Sequence, residues 1–326
     1  MRRDAAGMKN EALTGKVALV AGATRGAGRG IACMLGEAGA TVYCSGRSTR
    51  GNPSPMQRPE TIDETAELVT AHGGRGIAVR TDHTDGDDVA RLIARIEAEE
   101  GRLDVVVNDL WAGGEQPAYG KRFDEIAPER GLAMLQRALS SHILTSHHAM
   151  RLLRRAERAL LIDITDGDGF YYRGNFYYDL AKIAEIRMAF GLAADLRRTN
   201  VTPLVVTPGF MRSEVVLETF GVTEANWRDG IAKAKEFAES ETPFFVGRAI
   251  AALAADPNVK RKAGRLYSSA VLAAEYGFCD VDGRQPNVWK FFADEMPELG
   301  FRTADAGFYA YWETGLDALE REFERF

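Results

Sequence analysis

Cysteine is scarce in this chain. Cys33, Cys44 and Cys279 are scattered through 326 residues. They lack metal-ligand spacing and cannot all pair, which excludes a disulfide scaffold and a zinc finger and points to free thiols in a reducing, cytoplasmic setting. No run of about 18 apolar residues occurs, so no membrane-spanning helix is expected. The stretch to Leu13 has two arginines but no apolar segment behind them, unlike a signal peptide. Basic residues are not in excess. Lys and Arg number 41 against 47 Asp and Glu, a net charge of −6. Nucleic acid is therefore disfavoured as a partner, because neutralising phosphates needs a basic face. What remains is 45% apolar and 27% charged, ordinary for a globular chain and enough for one large domain or two modest ones.

Strand-like and helix-like segments alternate. Short apolar runs at Lys16 to Gly22, Ala40 to Cys44, Gly76 to Arg80, Asp104 to Asn108, Ala159 to Ile164 and Val201 to Val206 read as buried strands, the last broken near its start by Pro203. Arg265 to Ser268 is a seventh candidate. Helical spacing fills the intervals: Ile31 to Ala38, Glu60 to Ala71, Asp85 to Glu100, about Pro128 to Arg155, and Phe176 to Arg198. Such alternation predicts an α/β fold, a doubly wound parallel sheet of the Rossmann type flanked by helices. Ligands in such sheets sit beyond the carboxyl ends of the strands, where the loops after strands one, four, five and six should meet. The chain divides into an N-terminal extension (1–13), a Rossmann-fold domain (14–275) and a C-terminal extension (276–326) rich in aromatics.

The loop Ala21-Gly22-Ala23-Thr24-Arg25-Gly26-Ala27-Gly28 joins the first strand to the first helix. In that setting Gly22 supplies a tight turn, Gly26 lets backbone approach a pyrophosphate, and Gly28 lets the helix begin close to the sheet. The second strand ends Tyr43-Cys44-Ser45-Gly46-Arg47-Ser48 with no acid to bind ribose hydroxyls. Arg47 and Arg25 are instead placed for a 2′-phosphate, which favours NADP(H) over NAD(H). Asp82, after the third strand, is equally suited to binding the adenine amino group and to capping the next turn.

Tyr178 and Lys182 stand four apart, on one face of a helix. A phenol with a pKa near roughly 10 is a poor acid or base at neutral pH. A neighbouring ammonium is expected to lower that value, so that the phenol exchanges a proton with a carbonyl while a nicotinamide exchanges hydride.

The glycine loop, Asn108, Tyr178 with Lys182, and Thr207-Pro208-Gly209 together resemble the short-chain dehydrogenase/reductase family over about residues 14 to 275. Asp256-Pro-Asn258 and the string Tyr276 to Arg284 resemble the C-terminal region of one member. The resemblance implies Tyr178 as acid/base and Lys182 as holder of the nicotinamide ribose. It implies Asn108 near strand four and the cofactor, and Pro208, Gly209 and Ser213 at the nicotinamide end. It also implies a homodimer or homotetramer built on the helices at Glu129 to Arg155 and Phe176 to Arg198.

Three departures stand out. The family's Asn-Asn-Ala-Gly is here Asn108-Asp109-Leu110-Trp111-Ala112-Gly113. The serine expected after strand five is absent, and either Thr165 or Asp166 replaces it. An ionised Asp166 repels a developing oxyanion, so it helps only if protonated or bound to a substrate donor. The proton-relay asparagine expected before strand five is missing. Ala138 or Gln136 falls near its place, Ser140, Ser141 and His142 are other polar candidates, and water is a further substitute. The expected activity is an NADP(H)-dependent oxidoreductase acting on a carbonyl or secondary alcohol of an apolar small molecule, without a metal. The alternative is an NADP(H)-binding sensor or scaffold that lost turnover with its serine.

Overall fold

The strands owe their burial to short, mostly apolar runs. Val17–Ala21 (β1) has every residue buried, as do Val105–Asn108 (β4), Ala159–Ile164 (β5) and Val201–Thr207 (β6). The structure, a computed structural model, describes residues 11–53, 58–111, 117–169 and 171–296. With Thr41–Gly46 (β2), Arg75–Arg80 (β3) and Leu266–Ser268 (β7), these strands form a seven-stranded sheet ordered β3-β2-β1-β4-β5-β6-β7. Every pairing is parallel. This is the doubly wound arrangement expected from the alternation.

The period of two along each strand sorts side chains to two faces. Ala18, Val20, Val42, Val107 and Ile162 pack with Ile31 and Leu35 of α1 (Gly26–Glu37), Val69 of α2 (Ile62–Ala71), and Ile250 and Leu253 of α7 (Pro243–Ala255). Val17, Leu19, Val106 and Leu161 pack on the other face. There they meet Leu92 and Ile96 of α3 (Gly86–Glu100) and Leu152 and Leu153 of α4 (Pro128–Leu153). Truncating a core residue such as Ile31, which is fully buried, to alanine costs about 2–5 kcal/mol.

Helix ends follow local chemistry. Asp85 caps α3 by accepting from the Asp87 and Asp88 amides, and Gly101 closes it at φ 77°. Asn175 caps α5 (Phe176–Asp195) by accepting from the Tyr178 amide, which fixes the first turn that carries Tyr178. One expectation is corrected. Pro203 does not break β6, which runs unbroken from Val201. Proline lacks only the donor, and the Pro203 carbonyl still accepts from the Gly264 amide at 2.7 Å.

Register aligns the carboxyl ends. Ala21 lies beside Ser45 and Asn108, and Asn108 beside Asp163. The loops leaving β1, β4, β5 and β6 therefore open on one edge. Two later helices border it: α6 (Glu214–Phe220) after β6, and α9 (Val288–Glu295), reached through α8 (Ser269–Tyr276). Residues 1–10, the loop positions Ala112 and Gly113, and Phe301, Phe308, Tyr309, Tyr311 and Trp312 of the C-terminal extension lie outside the described residues.

Candidate active site

The glycine loop is packed against the start of the loop after β4. A Cβ on Gly22, whose φ is +91°, would overlap the Asp109 carbonyl. One on Gly28 would overlap the Gly22 carbonyl and lie 2.9 Å from the Asp109 carboxylate. Above Gly26 there is room: a Cβ there would meet Ser213 at 3.8 Å. The first amides of α1 are engaged by carboxylates. Gly28 N–H donates to Asp109 Oδ2 at 2.5 Å, and Gly26 N–H to Glu214 Oε2 at 2.9 Å. A helix N-terminus favours anions, and these two carboxylates show that the loop presents its donors as a phosphate cradle must. Burial pushes the Asp109 carboxyl up to about 6, against the opposing pull of Lys182 and the Gly28 amide. The neighbouring Thr24 is buried, and its carbonyl accepts from the Arg29 guanidinium.

Each arginine near the end of β2 faces an acid. Arg25 Nε donates to Glu60 Oε2 at 3.4 Å, and Arg47 lies 4.0 Å from Asp82. Glu60 is buried and is also bound by Arg58, which reaches Glu218 of α6 at 2.6 Å. Asp82 Oδ1 accepts from the Thr84 amide and hydroxyl. Asp82 Oδ1 thus caps the turn that follows β3. Ser48 is buried, and its carbonyl accepts from the Ile62 amide.

At the other end of the cleft, the phenol of Tyr178 donates to Asp166 Oδ2 at 2.5 Å. Thr165 turns inward. Its hydroxyl donates to the Lys182 carbonyl at 2.8 Å, tying β5 to α5. Of the two candidates for the missing serine, Asp166 is the one that reaches the phenol. The Tyr178 ring packs edge-on against Trp111 and Tyr119, with centroids 5.2 and 5.8 Å away.

Lys182 does not do what the spacing predicts. Its ammonium donates to both carboxylate oxygens of Glu185 at 3.0 Å. It also lies 5.2 Å from the centroid of the Trp111 ring. The phenol is held well above its ordinary pKa, first by burial and then by Asp166. The physical reason is partner choice: the nearest carboxylate takes the cation, and a second carboxylate faces the phenol.

Below Lys182 lies a buried polar chain. Glu185 Oε1 is 3.9 Å from His142 Nε2. His142 Nδ1 is 2.8 Å from Asp163 Oδ1, and its Nε2 is 3.1 Å from the Leu110 carbonyl. Both ring nitrogens therefore face groups that accept, which suits the imidazolium. Burial opposes that charge, but Asp163 and Glu185 outweigh it and raise the His142 pKa. Asn108 donates to Asp163 at 2.9 Å and to Ser146 at 3.0 Å, joining β4, β5 and α4. Lys182, Glu185, His142 and Asp163 thus form a buried polar chain in which each group faces a partner of complementary hydrogen-bonding character.

A cavity of about 560 Å³ opens above the phenol. Trp111, Tyr119, Tyr171, Tyr172, Trp289 and Phe292 form its aromatic wall, and Asp166, Arg173 and Lys182 its polar side. Ala27 of the glycine loop, Pro208, Gly209 and Ser213 line the same cavity, so cradle and phenol share one cleft. Gly209 N–H donates to Glu241 Oε2 at 2.8 Å, and the Ser213 hydroxyl accepts from the Val216 amide. Among the described residues no cluster suited to a metal ion occurs, and no helix is long and apolar enough to cross a membrane.

The family model for short chain dehydrogenase matches residues 16–220. The chain belongs to the short-chain dehydrogenase family. The mouse protein named Dehydrogenase/reductase SDR family member 1 is 34% identical over 277 residues, covering 83% of this chain and 85% of the relative. Its human counterpart is 32% identical over the same shares. That is the member whose C-terminal string the sequence resembles. The cis-4-hydroxycyclohexanecarboxylate dehydrogenase of Sinomonas cyclohexanicum is 28% identical, over 83% of this chain and 99% of the relative. A solved short chain dehydrogenase from Mycobacterium thermoresistibile has the same fold, with TM-score 0.70 and 21% identity, covering 85% of this chain and 95% of that one. Membership makes this an oxidoreductase of the nicotinamide-dependent type.

Several site residues escaped the sequence reading. Glu185 was within reach, since a glutamate three residues after Lys182 shares its helix face. Glu60, Arg58 and Glu214 come from segments remote in sequence and carry no motif. Tyr119 reaches the phenol from a loop with no periodicity to follow.

Proposed function

We propose that this short-chain dehydrogenase uses NADP(H) to interconvert a secondary alcohol and a carbonyl on an apolar small molecule, with Tyr178 exchanging the proton. The observation that carries this reading is the shared cleft: Tyr178, Asp166 and Lys182 line the same cavity as Ala27, Pro208 and Gly209. A bound nicotinamide supplies or accepts the hydride there. The chain's own residues do the rest. Gly26 offers its amide to the pyrophosphate, with the phosphate taking the place of the Glu214 carboxylate, while Gly28, its amide held by Asp109, lets the helix begin close to the sheet. Lys182, fixed by Glu185, presents its ammonium beside the ribose. Pro208, Gly209 and Ser213 border the nicotinamide end, and the aromatic wall excludes water from the reacting carbon.

The phosphate-selecting end is Arg47 with Arg25 and, from the structure, Arg58. Arg47 meets Asp82 only at the 4.0 Å limit, and a doubly charged 2′-phosphate is a stronger partner for it than one half-exposed carboxylate. The substrate class rests on the aromatic wall. The relative named for cis-4-hydroxycyclohexanecarboxylate supports a ring-borne secondary alcohol. Leu132 and Ile143 of α4, with Phe176 and Leu180 of α5, are exposed apolar residues. They support assembly of copies through these two helices into a homodimer or homotetramer. The net charge of −6 agrees with a small-molecule partner rather than a nucleic acid, and the free cysteines agree with a cytoplasmic location.

Titration of NADPH and NADH by quenching of tryptophan fluorescence tests the cofactor. NADPH is expected to bind at least about tenfold more tightly. Arg47→Ala should erase most of that difference. Equal affinity of the unaltered protein for both dinucleotides would contradict the assignment.

A further inference from the structure

We propose that Tyr178 and Asp166 work as one proton-sharing pair, in which Asp166 is the terminal proton acceptor during alcohol oxidation and the proton source during carbonyl reduction. The inference rests on the reading above and names the group that completes its proton path. Two observations carry it. The phenol already donates to Asp166 Oδ2 at 2.5 Å, a charge-assisted bond at the short end of its range. And the cation that should make a phenolate is committed elsewhere, with both Glu185 oxygens 3.0 Å from Lys182 Nζ.

The step balances without a phenolate. In oxidation the electron pair of the carbinol C–H bond leaves as hydride for the bound dinucleotide. The carbinol oxygen gives its proton to the Tyr178 oxygen, and the phenol's own proton passes to Asp166, which becomes a carboxylic acid. The C–O single bond becomes C=O. Reduction reverses each move, so the carboxylic acid, not an ionised Asp166, stands beside the developing alkoxide. This removes the repulsion that an ionised carboxylate in the serine's place creates.

The charged and titratable groups around the phenol come from every neighbouring element. Asp168, Tyr171 and Arg173 share the segment with Asp166, and Asp179, Lys182 and Glu185 lie on α5. Tyr119 packs on the ring from the segment before α4, Asp109 lines the same cavity from the loop after β4, and His142 of α4 lies 3.9 Å from Glu185. Arg173 is spoken for, donating to the Asp166 carbonyl and to Asp179. Burial and Asp166 together raise the phenol's pKa, in keeping with a proton held between two acceptors.

The test needs no known substrate. Phenolate absorbance is followed against pH in the full chain and in Asp166→Ser, each corrected by the same protein carrying Tyr178→Phe. In the unaltered chain Tyr178, raised by burial and by Asp166, should ionise only above the range of an ordinary phenol. In Asp166→Ser its ionisation should move down by at least about one pH unit. Coincident curves would overturn the proposal. Turnover of a panel of benzylic and cyclic secondary alcohols with NADP+ gives the second readout. Asp166→Asn should slow oxidation roughly a hundredfold, and Asp166→Ser should recover rate only on the alkaline side. Full rate with an unchanged pH profile in Asp166→Asn, while Tyr178→Phe is inactive, would overturn the pairing and leave the proposed function standing. Full rate in both variants would overturn the function itself.

Discussion

The two ends of the cleft use the same residue type to opposite effect. At the cradle, Asp109 and Glu214 sit on backbone amides of a helix N-terminus. Those donors are fixed by the fold: the partly exposed Glu214 carboxylate holds the place proposed for a phosphate of like charge, while the buried Asp109 stays on Gly28. At the proton end, Asp166 and Glu185 sit on a phenol and an ammonium. Those partners are themselves reactive, so a carboxylate there changes the chemistry rather than holding a place. Backbone geometry tolerates substitution around it, whereas a side-chain acid/base pair is rewritten by its neighbours.

The largest way to sharpen this contrast is Gly28→Ala. The new methyl meets the Gly22 carbonyl and the Asp109 carboxylate, which must shift at a cost of about 1–3 kcal/mol. Cofactor affinity should fall at least about tenfold in the fluorescence titration, and turnover should return at saturating cofactor. Loss of turnover at saturation with unchanged affinity would break the separation between the two ends.

A smaller effect is expected from Asp109→Asn. The buried Asp109 carboxyl titrates at about 6, above the ordinary 3.8. The fold therefore holds the proton more tightly than the unfolded chain does. Stability is greatest at low pH and declines as pH rises through this interval. Asparagine keeps an acceptor for the Gly28 amide and removes the charge. The variant should melt a few degrees higher than the unaltered chain near pH 8, roughly 2–4 °C for each kcal/mol. The two should converge near pH 4, and thermal melts at both pH values check this.

How much was legible follows the same divide. The parallel sheet and the tight glycine turn into its first helix were readable because they rest on apolar runs and on glycines in a strand-to-helix setting. Tyr178 and Lys182 were readable as a helical pair. Their true partners were not. Whether Asp166 or Thr165 meets the phenol depends on how one loop turns after β5, and the answer came from the Thr165 hydroxyl pointing back to the Lys182 carbonyl. That Lys182 prefers Glu185 to the phenol is a competition between neighbours, which spacing alone does not rank. Pro203 misled for a similar reason: a missing donor near a strand's start leaves the acceptor free to pair.

In the proposed reaction the Tyr178 phenol exchanges the proton while the glycine loop holds the dinucleotide. Replacing Tyr178 with phenylalanine removes one oxygen and leaves the cradle untouched. With NADPH and a panel of cyclic and aromatic ketones, Tyr178→Phe should bind the cofactor as the unaltered chain does and lose at least about a hundredfold in kcat. Undiminished kcat in that variant would contradict the account.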